Sequence, residues 1–397
     1  MITTVPQPSA VDLMAGFLGS PGDDQELGGP WCQEPESAFL FSRSAWSLLA
    51  IVLWWRAQHN EMLPMVWLPD YFCNESTALL RKIGVTIHFY PIDAELNPDW
   101  QTCYDQAQVK SPNLFIMVHY FGHAGDGEAA RAFCNDHDSL LIEDAAHVMR
   151  PTKNIGKSGD FTFYSPYKIL AVPQGGVLVV AEKSIASEME DISKKLLDEY
   201  SNRLDKAALS RAELVIEVGG ESSFPSAWIV KRLLQRILPT PIARRFSKQG
   251  NLSFLEDPAS SGIDDAPFLS PYGRRMIAAT KPSLHDIATG RKKNAQALRK
   301  KFQTRLDCRP LFSDQEEGEA PYRFVLKFDQ SEQAQKFFEA ARRQGYPVES
   351  WPDLPPEVTA NSEDHIVACD LRKTVVLLPV HQTLNLADFT SIADIAR

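Results

Sequence analysis

The chain has 397 residues, room for two domains or for one large domain with a smaller companion. Hydrophobic residues make up 44% and charged residues 23%, as in an ordinary globular protein, and a formal net charge of -10 excludes the basic field that a nucleic-acid partner needs. Cysteines at 32, 73, 103, 134, 308 and 369 stand far apart without C-x-x-C spacing, which argues against a disulfide framework or zinc site and for reduced thiols in the cytoplasm.

The N-terminal text, MITTVPQPSAVDLM, lacks the basic and apolar regions of a signal peptide. The most apolar window, Ala45 to Trp55, is about half the length that crosses a bilayer, so no membrane partner is expected. Residues 1–35 are rich in Pro, Gly and acids and read as an arm or loop. Ser42 and Ser44 are then candidate N-caps for a largely apolar, buried helix from Ala45 to Arg56. A serine-bearing turn that feeds such a helix offers free N–H groups and a dipole to an anion.

Strands and helices alternate from there. Met65–Leu68, Val85–Tyr90, Leu114–Val118 and Leu140–Ile142 read as strands. Asn74–Ile83, a segment around Trp100, and Gly127–His137 read as the helices between them, with Gly84 ending the first. This alternation predicts a three-layer α/β/α domain with a mainly parallel, doubly wound sheet. Val177–Val180 is a further strand, Ser184–Leu214 a charged helix, and Trp228–Leu238 an amphipathic packed or interface helix. A linker at Asn251–Asp265 divides a large domain, 36–265, from a small α+β domain, 266–397. The small domain is read as a helical run from Pro271, strands Tyr322–Phe328 and Val375–Leu378, and helices Glu332–Gln344 and Asn385–Ile395.

The chemistry concentrates between Leu140 and Val180. Asp144 ends an apolar strand, where open α/β sheets bind ligands. Glu143 points to the opposite face of an extended strand, so the two carboxylates cannot chelate together. Lys168 lies between Tyr167 and Ile169 in an apolar turn, out of place on a solvated face. An acid at a strand end followed by such a lysine suits pyridoxal phosphate (PLP), which needs an amine for its Schiff base and a carboxylate for its ring nitrogen. Other motifs fail: Gly156-Lys157-Ser158 has Pro151 where a P-loop needs glycine, no G-x-G-x-x-G follows a strand, and Ser165 is in no G-x-S-x-G elbow. His119 and His123 leave a strand with Gly122 between them, a poor zinc pair, and no metal is expected.

Six segments, in order, resemble the DegT/DnrJ/StrS group of PLP-dependent sugar aminotransferases. They are Phe41-Ser42-Arg43-Ser44-Ala45, Pro69-Asp70-Tyr71-Phe72, Val118-His119-Tyr120-Phe121-Gly122, Glu143-Asp144-Ala145-Ala146-His147, Lys168 with Gly175-Gly176, and Leu378-Pro379-Val380-His381. The resemblance implies a fold type I PLP-dependent transferase. It implies that Ser44 and Ala45 cradle the cofactor phosphate, that Tyr71 or Phe72 lies over the ring, that Asp144 pairs with the ring nitrogen, that His147 lies against the cofactor, and that Lys168 forms the Schiff base. An amino donor, usually glutamate, and a nucleotide-linked keto-sugar acceptor would be the substrates, and homodimers with shared active sites the assembly. The chain departs from the family pattern just before the lysine. Phe163 stands where the family has a phosphate-binding serine, Ser165 resembles the arrangement of other aminotransferases of this fold, and Pro173-Gln174 precedes the glycine pair. The alternatives are a PLP enzyme of another reaction type, such as a lyase, dehydratase or amino-acid-directed transferase, and a catalytically idle binding or regulatory member.

Overall fold

The structure, a computed structural model, describes residues 3–33, 36–210, 225–237, 254–255, 266–312, 320–389 and 391–395. Seven strands form one sheet: β1 (Ser37–Phe41), β2 (Met65–Pro69), β3 (Thr86–Tyr90), β4 (Leu114–Val118), β5 (Leu140–Ala145), β6 (Phe161–Tyr164) and β7 (Gly176–Val180). Their order is β1-β7-β6-β5-β4-β2-β3. From β6 to β3 neighbouring strands are parallel, whereas β7 runs antiparallel to both β6 and β1. The mainly parallel sheet and the fold class therefore agree with the sequence reading.

The runs MVWLP, LFIMV and GVLVV are buried at every position, as strands covered on both faces must be. The helix Ser44–Gln58 has buried residues on most sides, including Leu48, Ile51, Trp54 and Trp55. It is tied to the helix Lys183–Ser210 by Trp54, whose Nε1–H donates to Glu188 Oε2 at 2.7 Å. Two strands of this sheet, and β8 (Cys308–Pro310) elsewhere, go beyond those read from the sequence. β1 is an edge strand of only five residues, and β6, FTFY, has too few residues to show a period. The predicted helix 74–83 is split into a 3-10 turn, Asn74–Thr77, and a short helix, Ala78–Lys82, after which Gly84 turns the chain at φ +80.

The second sheet is antiparallel, with order β10-β9-β8, where β8 is Cys308–Pro310, β9 Arg323–Phe328 and β10 Val375–Pro379. Phe302, Phe324, Leu326, Phe328, Phe337 and Leu378 fill its core. The predicted closing helix is instead two 3-10 turns, Leu386–Phe389 and Ile392–Asp394. Of the predicted linker 251–265, only Phe254 and Leu255 are described, and Phe254 is buried against Phe338. Residues 211–214 and Leu238, at the ends of two predicted helices, also lie outside the described residues.

The N-terminal segment is more ordered than an arm. Ser9 and Asp12 form a capping box that starts the helix Ala10–Leu18, a Ser-x-x-Asp signal visible in the sequence. That helix packs on the helix Pro271–Thr280, where Tyr272 lies edge-on to Phe17 and donates to the Leu13 carbonyl at 3.0 Å.

The first residues of β7 meet the turn before the helix Ser44–Gln58. Gly175 N–H donates to the Ser42 carbonyl at 2.9 Å. A Cβ on Gly176 would lie 2.5 Å from Arg43 C and 2.7 Å from Ser44 N, closer than any side chain permits. The glycine is required because backbone meets backbone there. Gly176→Ala should cost about 2–4 kcal/mol, read as a lower urea midpoint at unchanged slope. A loss under about 0.5 kcal/mol would contradict this packing.

Candidate active site

Strands β4, β5 and β6 deliver their following residues to one edge of the sheet. Val118 pairs with Asp144, and Asp144 with Phe163. His119, Asp144 and Ser165 are therefore carried to the carboxyl ends of adjacent parallel strands, where this class of sheet opens its ligand crevice. Lys168 sits in a single helical turn, Pro166–Ile169, started by a proline whose fixed φ suits the first helical position.

Lys168 Nζ lies 3.3 Å from His147 Nε2. The other ring nitrogen of His147, Nδ1, accepts the Phe121 N–H at 3.3 Å. Burial, with the nearby charges of Lys168 and Arg323, pushes the His147 pKa well below the ordinary imidazole value. Asp144 is buried, and its Oδ1 accepts the Ala146 N–H at 2.9 Å. Burial pushes the Asp144 carboxyl up, against the pull of Lys168 and the Ala146 N–H. Burial also disfavours the Lys168 ammonium, but Tyr167, Tyr322, Asp144 and Cys73 around it outweigh burial and raise its pKa.

Glu143 serves the opposite face, as its alternation with Asp144 requires. Its carboxylate accepts the backbone N–H groups of Gly156 at 2.7 Å, Ser158 at 2.7 Å and Gly159 at 2.6 Å. His119 Nε2 completes the set at 2.7 Å, while His119 Nδ1 accepts the Gly125 N–H at 3.0 Å. His123 stacks on Phe312 at 3.9 Å, so the two histidines serve separate contacts.

The anion turn differs in detail from the sequence reading. Arg43, not Ser42 or Ser44, stands at the N-cap, and it makes no side-chain cap bond; Ser44 and Ala45 begin the first turn. Ser42 is instead bound to the segment after the linker, its hydroxyl donating to the Ala266 carbonyl and its N–H to Pro267 O at 2.8 Å. Trp46 N–H donates to the Arg43 carbonyl at 3.1 Å, whereas the N–H groups of Ser44 and Ala45 precede the first residue with an acceptor in the helix. Arg43 also lays its guanidinium 4.3 Å from the centre of the Tyr167 ring. Ser165 is fully buried, and its hydroxyl has no hydrogen-bond partner among the described residues. Tyr71 is stacked on Trp351 at 4.4 Å, while Phe72 is buried beside it in sequence. His381 lies in a separate arrangement, with Nε2 2.8 Å from the Thr3 carbonyl and Nδ1 3.0 Å from Thr383 Oγ1.

Three neighbours of this cluster escaped the sequence reading. Tyr322 stacks on His147 at 4.4 Å with rings 7° from parallel, Trp351 meets the same imidazole edge-on at 5.9 Å, and Arg43 occupies the turn itself. Tyr322 and Trp351 come from more than 170 positions away in the chain, beyond any local pattern.

Residues 76–208 match the model of the DegT/DnrJ/EryC1/StrS aminotransferase family. That match takes in 133 of the 397 residues, about a third of the chain. The spore coat polysaccharide biosynthesis protein SpsC of Bacillus subtilis is 34% identical over 131 residues, 32% of this chain and 33% of SpsC. The sequence match thus spans about a third of that relative. The aminotransferase TlmJ from Streptoalloteichus hindustanus superposes with TM-score 0.68 at 14% identity, over 100% of this chain and 97% of TlmJ. The E. coli GDP-4-keto-6-deoxy-D-mannose-3-dehydratase, whose structure holds hydrated PLP, has TM-score 0.68 at 14% identity over 100% and 99%. At these identities the likeness shows the fold alone, shared over the whole length of this chain.

Glu143 supplies the test of the rear support. Burial disfavours its charge, but the His119 contact and the backbone N–H groups prevail and pull its pKa from 4.5 down to about 2. A carboxyl depressed on folding stabilises the fold above its unfolded pKa, and that stability drains as pH falls from 4.5 toward 2. The shift corresponds to roughly 3 kcal/mol. Urea unfolding across pH 2–7 should show this loss in the wild type and a flatter curve below about pH 5 for Glu143→Gln. Parallel curves would contradict the role.

Proposed function

We propose that this protein is a PLP-dependent aminotransferase that moves an amino group from glutamate to a keto-sugar, nucleotide-linked, in the cytoplasm. The observation that carries the reading is the meeting of Lys168, His147 and buried Asp144 at the carboxyl edge of the parallel strands. The residues present fit the cofactor. The Ser165 hydroxyl, buried without a partner, would donate to its phosphate along with the first-turn N–H groups of Ser44 and Ala45. Phe72 would cover the ring, because the Tyr71 ring is already committed to Trp351. Asp144 would hold the proton of the ring nitrogen, and His147 would lie against the ring's edge.

The cofactor supplies an electron-poor ring that stabilises negative charge on the carbon bearing the substrate nitrogen. Lys168 Nζ would hold the cofactor through its aldehyde and, when free, would take and return the proton at the substrate carbon. Asp144, shielded from water, would keep the ring nitrogen protonated. Phe163, opposite Asp144 in register, is apolar and buried and excludes water from that carboxyl. Transfer in two halves follows, first from the amino donor and then to the keto acceptor.

The reading includes a homodimer with active sites shared across the interface. Val11, Met14 and Leu18 stand exposed on the N-terminal helix, an apolar face that a second copy would cover.

The purified protein with PLP should show a visible absorption band that borohydride bleaches, leaving a reduced cofactor label on the peptide that contains Lys168. Lys168→Ala should give no such label and lose transfer by at least about a thousandfold. A protein that takes up no PLP, or a label at another lysine, would overturn the reading.

A further inference from the structure

The loop after β4 is held in an uncommon backbone conformation. Phe121 has φ +57, in the left-handed region that non-glycine residues seldom enter, and Gly122 follows at φ +93. The Phe121 conformation lets the backbone of one residue serve two partners. Its N–H donates to His147 Nδ1 at 3.3 Å, and its carbonyl accepts the Tyr322 N–H at 2.8 Å. A Cβ on Gly122 would lie 2.7 Å from the Ala320 carbonyl and 3.2 Å from Tyr322 N, so the segment leading into β9 is pressed onto this loop.

Tyr322 is fixed from behind as well. Arg291, fully buried, donates to the carbonyls of Pro321 at 2.9 Å and Tyr322 at 3.0 Å. Arg323 places its guanidinium 4.0 Å from the Tyr322 ring centre and donates to Glu349 Oε2 at 2.7 Å. The result is a stack in which Tyr322 lies flat on His147, and the imidazole cannot turn without losing both the stack and the Phe121 N–H.

That restraint determines where the imidazole proton is. A backbone N–H can only donate, so the neutral ring accepts at Nδ1 and carries its proton on Nε2. The Nε2–H then faces Lys168 Nζ at 3.3 Å. An ammonium there would set donor against donor, whereas the free amine has a lone pair to accept. The titratable groups packed on His147 are Lys168, Tyr322 and Arg323, and burial together with the Arg323 charge keeps the ring from gaining a second proton.

We propose that Tyr322 is a positioning residue: seated by the C-terminal unit, it holds the His147 Nε2–H on Lys168 Nζ, a contact that favours the free, nucleophilic amine against the Asp144, Tyr167 and Cys73 groups that favour the ammonium. This rests on the proposed function only for what the amine attacks. The proton placement belongs to the chain alone, so it is tested without cofactor.

The test compares cofactor-free wild type with Tyr322→Phe, which removes only the hydroxyl, and with Tyr322→Ala and Tyr322→Leu, which remove the flat ring. Nitrogen-15 NMR of histidine-labelled protein, with the His147 signals assigned by a His147→Asn sample, should show the proton on Nε2 in the wild type and in Tyr322→Phe. Competitive labelling with trace acetic anhydride, read by peptide mass, follows the Lys168 amine against pH. Its onset should lie about one pH unit higher in Tyr322→Ala than in Tyr322→Phe, a roughly tenfold drop in labelling at fixed pH below the onset. Tyr322→Leu, which keeps apolar bulk, is read in the same way if the alanine variant does not fold. A wild-type His147 with its proton on Nδ1 would overturn the proposal, and so would a Lys168 onset that does not differ between the phenylalanine and leucine variants. A protein that shows the expected pattern yet binds no PLP would sink the proposed function and leave this inference standing.

Discussion

The parallel register of β4, β5 and β6 is the constraint from which the site follows. Val118, Asp144 and Phe163 lie side by side, so the three chains leave the sheet at the same level. A slip of one residue in β5 would send Asp144 to the rear face and bring Glu143 forward. The rear face prevents this, because the Glu143 carboxylate is saturated by His119 and by three backbone N–H groups of residues 156–159. No such set of donors could be met from the front. The acid that faces the crevice is therefore chosen by the acid that cannot.

The second dependence is of the front edge on the second sheet. His147 touches Lys168 on one side and Tyr322 on its flat face. Tyr322 is in turn held by Arg291 and by the Phe121 carbonyl. The same region stacks Trp351 on Tyr71. Residues that carry no reactive group thus determine the direction in which the reactive ones point.

Much of this was legible in the sequence, for identifiable reasons. Strands buried on both faces read as continuous apolar runs, and β2, β4 and β7 were found that way. Asp144 and Lys168 were found because each is polar in apolar surroundings. β6 was not, having only four residues, nor was β1, which is as long as β2 but gains its meaning only from pairing with β7. Ser42 was misread as a cap because its partners, Ala266 and Pro267, are more than 220 residues away. Tyr322 and Trp351 share that difficulty, since tertiary contacts leave no local signature. The N-terminal helix is the avoidable miss, since the Ser9 and Asp12 capping box was in plain view beneath a Pro- and Gly-rich composition.

The central claim is that this crevice transfers an amino group to a keto-sugar, and transfer of the nitrogen itself tests it most directly. The PLP-loaded protein would be incubated with nitrogen-15 glutamate and a panel of nucleotide-linked keto-sugars, and product masses read. The account predicts a new aminosugar carrying the heavy nitrogen, formed in step with 2-oxoglutarate. A protein that binds PLP and yet passes heavy nitrogen to no member of the panel, while eliminating water or amine from one of them, would contradict it.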